Sequence, residues 1–209
     1  GGLAELIRRF GGEAVRFFLL RTHYRSTVMF SEQGLEEAKA SLEGFYRFFQ
    51  RYERLTGESF YELQAAGKRG EISADFHDSE LAGELSQRQA GFLNKMDDDF
   101  NTGGAISELF EFVRTLNRFI DVQQLEGNSD HSESLQSLRV GTGVLRDLTM
   151  LLGIFRSPPQ METGDAMNDL SAKLIELLIE MRADARARKD FVMADTIRDK
   201  LIELGVTLE

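Results

Sequence analysis

Apolar residues recur along most of this 209-residue chain at spacings of three and four, the period of a helix that buries one face. Leu3 to Phe10 and Glu13 to Thr22 read as two short helices parted by Gly11-Gly12. Ser31 can cap a long helix, because its hydroxyl can accept from a free first-turn N–H; that helix runs to about Leu55. Its apolar stripe is Leu35, Ala38, Leu42, Phe45, Phe49 and Tyr52. Gly67 to Asp78, rich in glycine and charge, reads as a loop, and Ser79 opens a helix to about Asp97. Thr102 opens the next, with Ile106, Leu109, Phe110, Val113, Leu116 and Ile120 facing inward. A polar connection, Glu126 to Ser132, leads into a helix that ends near Ile154.

The two prolines stand together at Pro158-Pro159, in a polar stretch that also holds Gly164, and this marks the best domain boundary. Beyond it, Asn168 is placed to cap a helix to about Arg188, and a second helix follows from about Phe191 to Leu204. Gly205 then stops that helix as a glycine just past its end, and Val206-Thr207-Leu208 reads as an incomplete terminal strand. The expected fold is all-α: an antiparallel helical bundle with a small C-terminal helical hairpin. Its expected parts are entry helices over 1–30, the bundle over 31–155, a linker over 156–167 and the hairpin over 168–209.

Composition narrows the chemistry. With no cysteine, the chain excludes disulfides and thiolate zinc sites of its own. No apolar run is long enough to span a bilayer, so no membrane partner is expected, and the composition is compatible with a cytoplasmic protein. The chain opens with Gly1-Gly2 rather than Met, which predicts a piece of a longer protein. A net charge of −10 argues against indiscriminate binding to phosphates. Two basic islands run against that total. Arg8 to Arg25 holds five arginines against one glutamate, and Arg182 to Lys200 holds six basic residues against four acidic.

No active site can be assembled from the residue pattern. His23, His77 and His131 lack ligand spacing and a nucleophile partner, and no glycine-rich phosphate loop follows a strand. Asp97-Asp98-Asp99 would point three ways on a helix, so a structural role at a helix end is expected rather than a metal site.

Four segments carry a family resemblance. Glu13-Ala14-Val15-Arg16-Phe17-Phe18-Leu19-Leu20 resembles the Asp-Ala-Leu-Arg helix of an anticodon-binding domain in class I synthetases. His23-Tyr24-Arg25-Ser26 with Phe30-Ser31, and Met96-Asp97-Asp98-Asp99-Phe100-Asn101-Thr102, resemble segments of cysteinyl-tRNA synthetases. Ala185-Arg186-Ala187-Arg188-Lys189-Asp190-Phe191, Ala194-Asp195 and Ile197-Arg198-Asp199 resemble their C-terminal helices. The chain therefore resembles the C-terminal, tRNA-binding part of that family. Gly103-Gly104 departs from it, standing where a helix-starting Pro-Glu is usual.

The resemblance implies an anticodon-recognition region of an ATP-dependent cysteine–tRNA ligase, with tRNA(Cys) and the catalytic domain of the same parent as partners. It implies no catalysis by this part. ATP, Mg and a Zn ion belong to the parent's catalytic domain, whose His-Ile-Gly-His and Lys-Met-Ser-Lys-Ser signatures this chain does not contain.

Helical geometry gives the C-terminal motif a physical reading. At 100° per residue from Phe191, Asp195 lies about 40° round and Arg198 about −20°, with Ala194, Ile197, Leu201 and Leu204 roughly 100° away. Phe191, Asp195 and Arg198 can thus project together, with Arg186 approaching across the turn: an aromatic face, an acceptor and guanidinium donors suit unstacked RNA bases. The resemblance makes these four the anticodon contacts and GCA the anticodon. The competing reading of the spacing is an Asp195–Arg198 ion pair with Phe191 packed as a staple. Arg8, Arg9, Arg21 and Arg25 are candidate tRNA backbone contacts, while Arg16 is expected to pair with a carboxylate. Leu3, Ile7 and Phe10 are expected to form an apolar face that met the catalytic domain. The alternative function is a helical interaction protein of this lineage that no longer binds tRNA.

Overall fold

A computed structural model describes residues 2–64, 78–127, 131–159, 174, 177–186, 188 and 190–203, with the backbone alone at 191, 192, 199 and 201–203. All regular elements among the described residues are helical. They are α1 (Leu3–Phe10), α2 (Gly12–Leu20), α3 (Glu32–Thr56), a single 3-10 turn (Phe60–Glu62), α4 (Ser79–Asp97), α5 (Thr102–Val122) and α6 (Ser132–Leu152), then α7 (residues 177–186) and α8 (Phe191–Glu203). The chain divides into two compact units, Gly1–Pro158 and Pro159–Glu209. The 67–77 part of the loop expectation, the Asn168 cap, the Gly205 stop and the terminal strand fall outside the described residues.

Helix ends in the first unit follow from their caps. Ser31 Oγ accepts from the Gly34 N–H at 3.0 Å, Asp78 Oδ1 from Leu81 N–H at 2.9 Å, and Asn101 Oδ1 from Gly104 N–H at 2.9 Å. Each satisfies a first-turn donor that has no partner inside its own helix. Gly57 and Gly153, both at positive φ, end α3 and α6.

The core of this unit is aromatic. Phe17, Phe45, Phe48, Phe49, Phe60, Phe112 and Phe155 are buried, and burial of each is worth roughly 1.5–3 kcal/mol. Phe49 stacks on Phe60, and Phe45 lies 4.9 Å from Phe155, so three stretches of chain meet at one cluster. The expected stripe of α3 is buried throughout, and Phe48 joins it. On α5 the inward positions are buried except Phe110, which is half-buried against the core.

Pairings along α4 and α5 run in opposite senses: Arg88 meets Glu108, and Arg118 meets Glu84. These two helices therefore form an antiparallel hairpin. Arg51 of α3 reaches Asn117 (2.9 Å), Asp121 and Glu126 (3.0 Å), which fastens the end of α3 to the end of α5. In the second unit Asp190 Oδ1 accepts from Met193 N–H at 3.0 Å and caps α8. Ala185, Ala194 and Ile197 are buried there.

Candidate nucleic-acid interface

On α8 the two faces separate as the helical period requires. Ala194 and Ile197 turn inward, while Asp195 is exposed and Arg198 half-exposed. Arg198 Nη1 lies 3.1 Å from Asp195 Oδ1, so the i,i+3 ion pair is formed. At a solvated site such a pair is worth about 0.5 kcal/mol and opens readily. Both groups thus stay available to a polar partner, the carboxylate as acceptor and the guanidinium as donor. Arg186 is exposed in the last described turn of α7. Phe191 opens α8, and its side chain lies outside the described residues.

The four N-terminal arginines divide into two kinds. Arg8 and Arg21 are exposed, and neither has an ion-pair partner among the described residues. Arg9 is held by Glu32, with Nη1 to Oε1 at 2.8 Å and Nη2 to Oε2 at 3.2 Å, and its guanidinium lowers the pKa of Glu32 by hydrogen bond and charge. Arg25 is held at Asp99, its Nη1 3.2 Å from Oδ2 and its Nε donating to the Tyr24 hydroxyl at 2.9 Å. A phosphate would meet Arg8 and Arg21 as free charges, and would have to compete for Arg9 and Arg25.

Asp99, the last residue of the acidic run, is tied into the segment after α2. The Tyr24 hydroxyl donates to Asp99 Oδ1 at 2.8 Å, which raises the tyrosine pKa, and His23 Nε2 stands 3.8 Å from Oδ2. Asp99 and Phe100 both take positive φ, at 52° and 53°. That conformation costs a non-glycine residue free energy and persists only where surroundings fix it. Here Asn101 caps α5, Thr102 Oγ1 donates to the Leu20 carbonyl at 2.7 Å, and Asp99 is tied to Tyr24 and Arg25. A Cβ on Gly103 would stand 2.6 Å from the Arg21 carbonyl oxygen, so this position needs glycine for backbone to meet backbone. No group of three or more metal-ligating side chains occurs among the described residues.

A second set of polar groups, on α2, grips the exit of α6. Arg16 Nε and Nη2 donate to the Leu152 carbonyl at 3.1 and 2.9 Å. This corrects the expected carboxylate partner: the last carbonyls of a helix have no internal donor, and a guanidinium satisfies them. Glu13 accepts the Phe155 N–H on Oε1 and the Tyr46 hydroxyl on Oε2, the latter at 2.9 Å. Burial, then the carboxylate, push the Tyr46 pKa well up. Phe155 itself has φ of 55°. Its carbonyl accepts from Arg146, a buried guanidinium that also faces the carbonyls of Tyr61 and Leu63 at 3.4 Å and lies over the Phe60 ring. Phe155 is thus pinned at both its N–H and its C=O. Arg146 was not foreseen, because burial of a cation among carbonyls leaves no mark in residue spacing.

Comparison with known proteins places these features. Residues 91–156 match the DALR domain family. The chain is 34% identical over 206 residues to the cysteine–tRNA ligase of Moorella thermoacetica, which covers 98% of this chain and 40% of that protein. It is 35% identical over 208 residues to that of Desulfitobacterium hafniense (98% and 39%) and 33% identical over 208 to that of Vibrio vulnificus (99% and 38%). This chain is related to the cysteine–tRNA ligases along nearly its whole length. It spans about two-fifths of the length of those relatives.

The DALR match starts within α4 and ends just past α6, and it does not include residues 13–20. Yet Glu13 and Arg16 hold Leu152 and Phe155, which lie inside it. Likewise the His23-Tyr24-Arg25 segment and the Met96–Thr102 segment, both features of the cysteine–tRNA ligase resemblance, meet at Asp99. Phe10, expected beside Leu3 and Ile7 on an exposed apolar face, is instead 5% exposed and belongs to the core, whereas Leu3 and Ile7 are open.

Proposed function

We propose that this chain is the tRNA-binding, anticodon-reading region of an ATP-dependent cysteine–tRNA ligase, working in the cytoplasm on tRNA(Cys) beside the catalytic domain of its parent. It contributes recognition to aminoacylation and leaves the ATP-dependent chemistry, with its Mg and Zn, to that domain. The observation that carries the reading is the face of α8 on which Asp195 and Arg198 stand accessible while Ala194 and Ile197 are buried. In this reading the Asp195 carboxylate accepts from base N–H groups, Arg186 and Arg198 donate to base acceptors or phosphate, and Phe191 stacks on an unpaired base. Arg8 and Arg21 add phosphate contacts, with Arg9 and Arg25 joining when RNA displaces their carboxylates.

The test is a salt titration of binding to a tRNA with a GCA anticodon and to the same tRNA with that triplet altered. The expected result is preference for GCA at every salt, with log K falling linearly with log salt for both. Equal, weak binding that disappears as salt rises favours the second reading, a helical protein of this lineage that no longer reads tRNA. The formed Asp195–Arg198 pair and the net charge of −10 are what support that alternative.

A further inference from the structure

Between the end of α2, the segment after it and the α4–α5 turn lies a groove of about 550 Å³, lined by Leu19, Leu20, Thr22, Tyr24, Val28, Phe100 and Thr102. That size is within the range of small-ligand sites, roughly 300–1,000 Å³. Its walls are unusual for a free surface: Phe100 is 64% exposed and Tyr24 60%. Neither ring is there by slack. Phe100 is set outward by its own left-handed backbone, fixed by the Asn101 cap and the Thr102 bond to Leu20. Tyr24 is fixed at its hydroxyl by Asp99 and Arg25 and on one face by the His23 ring, 4.9 Å away. The Arg25 guanidinium lies 5.4 Å from the Tyr24 ring centre. Arg21, next in sequence to two lining residues, is exposed with no ion-pair partner among the described residues, and the Asp99 charge is taken up by Arg25.

A fixed exposed aromatic face, an apolar floor and arginines in the adjoining chain are the chemistry that holds an unstacked base with its phosphate. We propose that this groove takes one unpaired nucleotide of the bound RNA, the base stacked on Phe100 beside the edge of Tyr24 and the phosphate on the neighbouring Arg21, through residues other than those of α8. The inference rests on the tRNA-binding reading and adds a second base contact to it. A base that is paired in a duplex has both faces covered and does not fit.

The experiment uses the full chain and tRNA with a GCA anticodon: irradiation of the complex at 254 nm, mapping of the adduct by mass spectrometry, and affinities of Phe100→Ala and Phe100→Leu. Thermal melting of both variants verifies folding. The proposal expects an adduct at Phe100 or Tyr24, and affinity lowered roughly 5- to 150-fold in Phe100→Ala, the span of one base–aromatic stack. Phe100→Leu, which keeps an apolar side chain and loses the flat face, should be weakened nearly as much. If tRNA binds with its anticodon preference intact but no adduct forms here and neither variant weakens it, the groove is not an RNA site and the anticodon reading stands. If Phe100→Leu binds as the unaltered chain does, the groove is an apolar seat and not a base platform. If the unaltered chain binds no tRNA at all, both readings fall together.

Discussion

The two compact units hold themselves together by different means. In Gly1–Pro158, α2, α3, α5 and α6 close on a cluster of phenylalanines, and beneath surface pairs such as Arg9–Glu32 and Arg88–Glu108 three charged groups are spent on backbone: Arg16 on the Leu152 carbonyl, Glu13 on the Phe155 N–H, Arg146 on three carbonyls. In the second unit the described buried side chains are Ala185, Ala194 and Ile197, and the charged groups Asp184 and Arg188, Asp195 and Arg198 pair with one another at the surface. Charges committed to backbone carbonyls cannot also meet a ligand, whereas exposed i,i+3 and i,i+4 pairs exchange partners at little cost. The interior of the first unit is built as a scaffold, while α8, like the surface arginines Arg9 and Arg25, presents charges that can change partner.

That contrast can be broken at its strongest point first. Phe45→Ala removes a ring that touches Phe17, Phe110 and Phe155, and should cost about 3–5 kcal/mol, lowering the melting temperature by about 10 °C. A loss under 1 kcal/mol in a denaturant titration would mean the aromatic cluster does not carry the bundle. Glu13→Ala comes next. It leaves the Phe155 N–H and the Tyr46 hydroxyl without their acceptor, an expected loss of about 1–3 kcal/mol, and Arg16→Ala should follow at about 1–2 kcal/mol.

Alkaline pH sharpens the same contrast. Burial raises the pKa of Tyr52 to about 12, and of Tyr46 and Tyr61 further, all in the first unit. A folded pKa above the unfolded value near 10 means that the folded state holds its proton more tightly. Stability is therefore constant below about pH 10 and falls as pH rises through 12. Melting temperatures recorded from pH 8 upward should be flat and then drop above pH 10; a flat line to pH 12 would contradict the burial of these hydroxyls. The smallest effect on stability is expected at the surface. Arg9→Ala should leave the melting temperature unchanged, since both partners in its pair with Glu32 are exposed.

Much of this architecture was readable in the chain because it follows from local rules. Ser31, the Thr102 start and the α3 stripe are consequences of capping and of the 3.6-residue period, which act within one or two turns. Phe48 escaped because a stripe widens where two helices pack on one, and period alone does not count neighbours. Phe10 escaped for a related reason: α1 is amphipathic, but which edge of its apolar face meets α2 and α3 is decided by the turn at Gly11. The partners of Arg16 and Asp99 are set by contacts 136 and 75 residues away, and nothing local specifies them. Of the candidate interface, the shared face of Asp195 and Arg198 was legible from helical geometry. The division of the N-terminal arginines into held and free was not, because Glu32 and Asp99 reach them only through the fold.

The most direct measurement of the central claim, that α8 reads and the bundle supports, is the ratio of affinities for GCA and altered-anticodon tRNA in the unaltered chain and in Asp195→Ala, at one salt concentration. The account predicts a ratio well above one that falls to about one in the variant, with the melting temperature of the first unit unchanged. A ratio that survives Asp195→Ala would contradict it and move the reader of the anticodon elsewhere in the molecule.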